Sequence, residues 1–316
     1  MNGKSELYVS SRAIGLLALL IIILPIFANS NYVIRIAALV WIMGLAAVGL
    51  HILMGLAGQI SLGHAGFFGI GAYASAVLPA RYGVPVPLAI FAGIAASSLV
   101  AYLVGKPILR LKGHYLAIAT LGFSLLVGLA ITSEVSLTGG PDGMDVERLS
   151  LGGFVIEAPM IWYWISGILL IGGTAIAVVL RDSPTGRALR AILDSEIAAA
   201  SMGVDVARRK LQAFVIASVY AAVAGSALAL MNGFITPDVA GFMVSVEFVA
   251  MVVIGGTATP FGALIGAALL TTLPQLLASF SDYQDIVVGL IIMLSMIFLR
   301  QGIVPALGQL FRRKSR

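Results

Sequence analysis

The sequence has no cysteine and very little charge. Of its 316 residues, 10% are charged and 60% are hydrophobic, and the mean hydropathy is +1.05. A soluble domain carries roughly 25% charged residues, because its surface must meet water. The absence of cysteine excludes disulfide bonds, a thiolate nucleophile and cysteine-based metal sites. We therefore predict an all-α integral membrane protein that forms one domain, residues 1–316.

Groups that could catalyse a reaction are also sparse. His51, His64 and His114 are too scattered to suggest a metal site, and no nucleophile–base pair stands out. We therefore predict no catalytic residue and no metal. The net charge of +5 indicates Lys and Arg retained on one side of a membrane rather than nucleic-acid binding.

Long apolar runs predict about ten membrane-spanning helices, since a bilayer core needs about 20 apolar residues in helical form. The first run follows Lys4 and Arg12 and lacks a small-x-small cleavage site, so we interpret it as a span and not as a signal peptide. The third and eighth runs leave a broken or partly inserted helix as an alternative. The predicted spans are 13–28, 33–56, 65–80, 86–105, 115–133, 160–180, 212–232, 243–256, 262–278 and 286–300.

Positive charges predict the orientation, because Lys and Arg accumulate in cytoplasmic connections. With ten crossings the four basic clusters all fall on one side, so both termini are predicted to be cytoplasmic. The clusters are Lys4 and Arg12; Lys106, Arg110 and Lys112; Arg181, Arg187, Arg190, Arg208, Arg209 and Lys210; and Arg312, Arg313, Lys314 and Arg316.

The long connection 181–211, predicted to be cytoplasmic, has the pattern of two short helices. Ser183 is suited to cap the first helix, and Ser195 to cap a second helix that ends at Gly203. The alanine-rich surface of the second helix suits either lipid headgroups or the groove of another protein. The candidate contact residues are Arg187, Arg190, Asp194, Ser195, Glu196, Ala198, Ala199 and Gly203.

A glycine-rich segment with polar residues follows the second span. Glycine permits close helix packing and breaks in a helix, and polar side chains are costly in lipid. The segment is therefore either a tight packing element or the lining of a water-filled path. Its candidate residues are Gly58, Gln59, Ser61, Gly63, His64, Gly66 and Phe67. Elsewhere, Gly262 and Gly266 predict close helix packing, and Glu247 is either functional or reaches the nearby outer surface.

Four separated stretches, reaching from about residue 40 to 300, carry a family resemblance. They are Gly58-Gln59-Ile60-Ser61-Leu62-Gly63-His64-Ala65-Gly66-Phe67; Leu111 to Phe123; Leu137-Thr138-Gly139-Gly140-Pro141-Asp142-Gly143; and Gly255 to Ala267. In order and character they resemble the branched-chain amino-acid permease family, in particular the M-type subunit of its ATP-binding-cassette (ABC) importers. Glu196-x-Ala198-Ala199-x-x-x-Gly203 is similar to the loop of such permeases that couples to the ATPase, although Ile197 interrupts the motif.

The resemblance implies a set of partners. A second permease subunit, paralogous or identical, would complete the pore. Two cytoplasmic ATP-binding subunits would bind ATP and Mg and hydrolyse the ATP. A periplasmic or extracytoplasmic binding protein would deliver substrate. Its predicted docking residues are Thr138, Gly139, Gly140 and Asp142, with a plain turn as the alternative. The sequence contains no Gly-x-x-x-x-Gly-Lys-Ser/Thr loop, so no cofactor is expected on this chain. The implied location is the bacterial cytoplasmic (inner) membrane, in a multi-pass arrangement.

Two rival functions remain at this point. An importer of the same architecture for urea, short amides or sugars would differ mainly in its binding protein. An ion-coupled secondary transporter would need paired carboxylates or other ion ligands within the membrane, and Glu247 alone is poor support for that class.

Overall fold

Long apolar helices make up most of this computed structural model, which describes residues 3–28, 30–111, 113–151 and 154–277 together with 289, 290, 293, 302 and 303. Among these residues, five helices are long and apolar enough to cross a bilayer, and three shorter apolar helices accompany them. The helices are α1 Gly3–Phe27, α2 Asn31–His51, α3 His64–Tyr82, α4 Val86–Ile108, α5 His114–Ser133, α6 Val135–Thr138, α7 Pro159–Asp182, α8 Pro184–Asp194, α9 Glu196–Ser201, α10 Val206–Asn232, α11 Phe242–Gly255 and α12 Pro260–Leu276.

The predicted spans agree with these helices over the described part of the chain. The first nine predicted spans coincide with α1, α2, α3, α4, α5, α7, α10, α11 and α12 in that order. The first of them belongs to the bundle, because the Tyr163 hydroxyl of α7 donates to the Ile21 carbonyl of α1 at 2.7 Å. The tenth predicted span, 286–300, lies outside the described residues except for three isolated positions.

Helices α2 and α10 form the centre of the bundle. In their most apolar stretches 83% and 72% of residues are buried, against 28% in α4 and 22% in α5, which therefore lie at the rim. Helix α10 packs against α2, α3 and α4, and α2 packs against α7 and α12. Much of the buried surface of α10 is alanine, glycine or serine, whereas α2 buries large apolar residues such as Trp41 and Leu45 as well.

Glycine and alanine allow the backbones to approach closely at two contacts. Gly225 of α10 lies against the backbone of Phe68 in α3, where any side chain would collide. In the α11–α12 hairpin, Gly262 lies against Gly255 and Gly266 against Met251. The predicted packing role of Gly262 and Gly266 is confirmed.

Short strands tie two connections together at one end of the bundle. Strand β1 (Met144–Asp145), after α6, pairs antiparallel with β4 (Phe234–Ile235), after α10. Strands β2 (Ser150–Leu151) and β3 (Phe154–Val155) form a second two-stranded hairpin. The connection that follows α5 is thus fixed to the chain that leads into α11.

Candidate functional site

The glycine-rich segment interrupts the helical chain inside the bundle. Helix α2 continues into one π-helical turn, Ile52–Leu56, and the chain then runs without helical structure to Gly63. Gly58 has φ +65°, in the left-handed region that favours glycine. Helix α3 begins again at His64. The third predicted span itself is one continuous helix, His64–Tyr82, so the break lies before it and not within it.

Side chains from other helices replace the missing helical hydrogen bonds at this break. The Leu62 amide donates to Thr120 Oγ1 of α5 at 3.0 Å, and the Ala65 amide donates to Ser245 Oγ of α11 at 3.1 Å. Thr120 lies six residues into α5, about 9 Å along its axis at 1.5 Å per residue. The break therefore lies within the bundle, where irregular backbone is tolerated only if protein or a water-filled cavity surrounds it.

The three polar side chains of the segment are buried. Gln59, Ser61 and His64 are exposed by 3% or less. Ser61 Oγ lies 3.2 Å from His64 Nδ1. Among the described residues, neither the Gln59 amide group nor His64 Nε2 has a hydrogen-bond partner. Buried polar groups without a partner are uncommon and costly, so Gln59 and His64 keep a path-lining role open.

The glycines and the phenylalanine of the segment serve close packing. A Cβ atom on Gly63 would lie 2.6 Å from the Thr120 carbonyl oxygen, and one on Gly66 would lie 3.0 Å from the Phe123 ring. The Phe67 and Phe123 rings are 4.7 Å apart between centroids. The segment was interpreted either as a tight packing element or as the lining of a water-filled path. The contacts of Gly63, Gly66 and Phe67 are those of tight packing.

Helix α11 also begins inside the bundle. The Ala240 carbonyl, just before α11, accepts a hydrogen bond from Ser124 Oγ at 3.2 Å, and Ser124 lies at the middle of α5. The eighth span is short for this reason. Glu247 follows on the second turn of α11 with an exposed side chain. Both interpretations of Glu247, a functional role and a position that reaches the outer surface, therefore stay predictions.

Helices α8 and α9 have the predicted caps. Ser183 Oγ accepts from the Gly186 amide at 3.1 Å, and Ser195 Oγ accepts from the Ala198 amide at 3.3 Å. Gly203 has φ +82° and follows the end of α9, as a glycine stop should. The prediction of two short helices in this connection is confirmed.

The charged candidates of this connection mostly bind its own backbone or α10. Glu196 forms an ion pair with Lys210 of α10. The Arg187 guanidinium donates to the Asp182 carbonyl at 2.8 Å, and that of Arg190 to the Arg181 carbonyl at 3.3 Å. Of the remaining candidates, Ala199 is buried; those that are exposed are Asp194, Ser195, Ala198 and Gly203.

The structure brings the α8–α9 connection and the glycine-rich segment together. Leu189 and Ile192 of α8 are buried, and α8 packs against the π-helical turn. A Cβ atom on Gly58 would lie 2.7 Å from Leu193 Cδ1. The two sets of residues, which are more than 100 positions apart in sequence, form one contact region at this end of the bundle.

Sequence reasoning missed two apolar side chains on the α9 surface. Ile197 is 80% exposed and Met202 is 84% exposed, more than any other large hydrophobic residue described. In the sequence, Ile197 is noticeable only as the residue that separates Glu196 from Ala198 in the coupling-loop motif. The available signal was the position of a β-branched apolar residue directly after the Glu196 of the motif, on a short helix that otherwise carries mainly alanine.

The Thr-Gly-Gly-Pro-Asp-Gly turn at the opposite end is held together internally. Thr138 is buried, and its hydroxyl lies 2.6 Å from the Ile131 carbonyl and 2.9 Å from that of Glu134. Gly139 and Gly140 adopt positive φ angles, and Gly140 is buried. Of the four residues proposed for docking, only Asp142 exposes a side chain.

No group of His, Cys, Asp and Glu that could hold a metal ion occurs among the residues that the structure describes. Membrane-length helices, interrupted within the bundle at residues 58–63 and again before α11, define a multi-pass membrane protein of the transporter type. The chain belongs to the family described as branched-chain amino acid transport system / permease component, which matches residues 32–296.

Curated relatives agree with this membership. The chain is 32% identical to the high-affinity branched-chain amino acid transport system permease protein LivM of Salmonella typhimurium, over 95% of this chain and 76% of that protein. It is also 32% identical to LivM of Escherichia coli, over 88% of this chain and 71% of the relative. The permease LivH of Salmonella typhimurium is 26% identical, over 82% of this chain and 90% of its own length.

Proposed function

We propose that this chain is a membrane-spanning subunit of an ABC importer that moves branched-chain or related small amino acids inward by alternating access. The proposal rests on family membership and on one structural observation: the α8–α9 connection contacts both α10 and the glycine-rich segment. ATP hydrolysis, with its Mg, belongs to two cytoplasmic partner subunits, and this chain binds no cofactor. It therefore has no catalytic residue of its own.

The contacts supply a physical route from an ATPase to the centre of the bundle. Exposed Ile197 and Met202 give α9 an apolar surface for the cleft of the ATPase. The Glu196–Lys210 ion pair ties α9 to α10, which packs closely on α3. The Leu193 side chain packs directly against Gly58. A displacement of α9 is thus transmitted both to a central helix and to the break in the chain.

The exposed face of α11 is the proposed contact with a second permease subunit or with the translocation path. Glu247 is exposed on this chain, but a carboxylate facing lipid at this depth is expensive. A neighbouring subunit or a water-filled path removes that cost. LivM and LivH relatives support a paralogous partner. The binding protein would meet the opposite end of the bundle, near Asp142.

The full arrangement that we propose has ten spans in a single domain, with both termini in the cytoplasm of a bacterium and the chain in its inner membrane. The substrate class follows the names of the relatives. Importers for urea, short amides or sugars are the nearest alternative, and ligand binding by the partner binding protein separates them. Uptake by this chain without ATP-binding partners would indicate a secondary transporter instead.

The proposal is tested at the α9 surface in the reconstituted transporter. We expect I197S/M202S to reduce leucine uptake at least tenfold, because the ATPase loses its apolar contact, while the chain still folds. Val135, 58% exposed at the other end of the bundle, provides the control variant V135S, which should transport normally. Uptake and ATP hydrolysis are measured in the same proteoliposomes. Wild-type uptake in I197S/M202S would contradict the coupling role.

A further inference from the structure

A large groove opens between the last turns of α4 and the first turns of α10. Its volume is about 1240 Å³, larger than the roughly 300–1,000 Å³ of pockets for drug-sized ligands. It is open along one side of the chain and lies at the end of the bundle where α8 and α9 are found. Its walls are formed chiefly by a row of residues along one side of α4 and a row along one side of α10.

Each wall changes from charged to apolar in the same direction. On the α4 side the row runs from Arg110, two residues beyond the end of the helix, to Lys106 and Tyr102, one helical turn apart within it. On α10 it runs from Arg208 to apolar Leu211 and Val215. From Arg208 to Val215 the groove extends about 10 Å along the helix at 1.5 Å per residue. Its cationic end lies where both helices leave their apolar stretches.

The charges around the groove leave a positive excess. Four cations and two carboxylates line it. Glu196 is paired with Lys210, and the carboxylate of Asp205 accepts from the Arg208 amide at 3.0 Å, as the cap of α10. Lys106 Nζ lies 4.9 Å from the centroid of the Tyr102 ring, at the boundary between the charged and apolar halves. The charged residues are Lys106, Arg110, Glu196, Asp205, Arg208 and Lys210.

We propose that this groove binds one anionic phospholipid, with its phosphate against Lys106, Arg110 and Arg208 and its acyl chains along Tyr102, Leu211 and Val215. The cationic end lies beside the charged connections and the apolar wall lies along two membrane-length helices, which matches the headgroup and the acyl chains of such a lipid. A soluble anion would leave the apolar half in contact with water. Glu196 and Lys210, which also join α9 to α10, form part of the groove wall, so the test below leaves both residues unchanged. The site itself requires that α4 and α10 leave the bilayer at this end.

The test is lipid retention by the purified full-length chain with its partner subunits. The protein is equilibrated with phosphatidylglycerol and phosphatidylcholine of identical acyl chains, and bound lipids are counted by native mass spectrometry. We expect wild type to retain one phosphatidylglycerol per chain. In K106Q/R110Q its preference over phosphatidylcholine should fall roughly thirtyfold, about 1 kcal/mol for each cation removed. V215W, which fills the apolar half and keeps the charges, should lose the lipid as well.

The control removes the same net charge elsewhere. Arg81 and Arg148 are exposed cations that do not line the groove, so R81Q/R148Q should keep the wild-type preference. An equal loss in R81Q/R148Q, or no loss in either K106Q/R110Q or V215W, would overturn the proposal. So would retention by the chain alone followed by release when the ATP-binding partners assemble, because a protein would then be the occupant. None of these outcomes depends on whether the transporter imports amino acids.

Discussion

The Lys210 ammonium is nearly enclosed, because its side chain is 7% exposed while that of its partner Glu196 is 37% exposed. E196Q removes the charged acceptor but leaves the cation in place. We expect this variant to lower the free energy of unfolding by about 2 kcal/mol, the scale of a hydrogen bond to a charged group. Thermal unfolding of the purified chain, followed by tryptophan fluorescence, measures the change.

The double variant E196Q/K210M separates a loss of pairing from a loss of the glutamate itself. Replacing the enclosed cation with an apolar side chain of similar length removes the unpaired charge, so stability should recover most of the loss. Equal destabilisation of E196Q and E196Q/K210M would show that the ion pair is not what stabilises this contact.

Gly63 offers a second test at the scale of one residue. G63A places a methyl group 2.6 Å from the Thr120 carbonyl oxygen, so the segment must move away from α5. We expect a lower melting temperature and reduced uptake. Gly122, on the same helix as Thr120, has open space at its Cβ position, and G122A should be stabilising by roughly 0.5–1 kcal/mol. Normal uptake by G63A would exclude close packing as a requirement there.

Local chemistry explains which residues could be predicted. The caps at Ser183 and Ser195 depend on neighbours three positions away, so the sequence contains the whole interaction. The burial of Thr138 depends on the end of α5, to which its hydroxyl binds, and no local pattern predicts that. The exposure of Ile197 depends equally on how α9 lies on α10.

At the scale of elements, α11 differs most from its sequence-based description. Its apolar length was recognised, but its start beside Ser124 depends on a hydrogen bond between distant segments. Hydropathy measures how apolar a segment is and not the depth at which it begins. The same reason applies to α3, whose first residues are held by Thr120 and Ser245.

The start of α11 inside the bundle, beside Ser124, gives Glu247 a testable role. We expect E247Q to leave folding and subunit assembly intact and to slow uptake about tenfold, because a charge that is costly in lipid is retained for a functional contact. Glu147, exposed in the connection before α7, provides the control E147Q, which should be neutral. Assembly is followed by co-purification and uptake in proteoliposomes. Unchanged uptake in E247Q would leave Glu247 without that role.

At the scale of the whole molecule, the order of the nine long helices that match predicted spans could be predicted, because apolar length is a local property. Their arrangement could not. Helices α2 and α10 are central and α4 and α5 lie at the rim, although all four are similarly apolar. Their positions depend on small residues such as Gly225 that permit one pair of backbones to meet and not another.

The proposed orientation makes a prediction for the whole chain. Since the sequence contains no cysteine, single cysteines can be labelled without interference. We expect D142C to react with a membrane-impermeant maleimide in intact cells, and M202C to react only after the cells are opened. Both side chains are exposed on this chain, so in cells that express it without the ATP-binding partners access is decided by the membrane alone. Labelling of M202C from outside would reverse the topology and remove the coupling role of α9.

The single π-helical turn at Ile52–Leu56 has a consequence for the geometry of the chain beyond it. A π turn accommodates one residue more than an α turn. Tightening it to an α turn would pass that spare residue forward into the stretch before Gly63 and rotate its start by about 100° around the α2 axis. A change between the two turns would therefore shift the chain beyond α2 by one residue, in one discrete step.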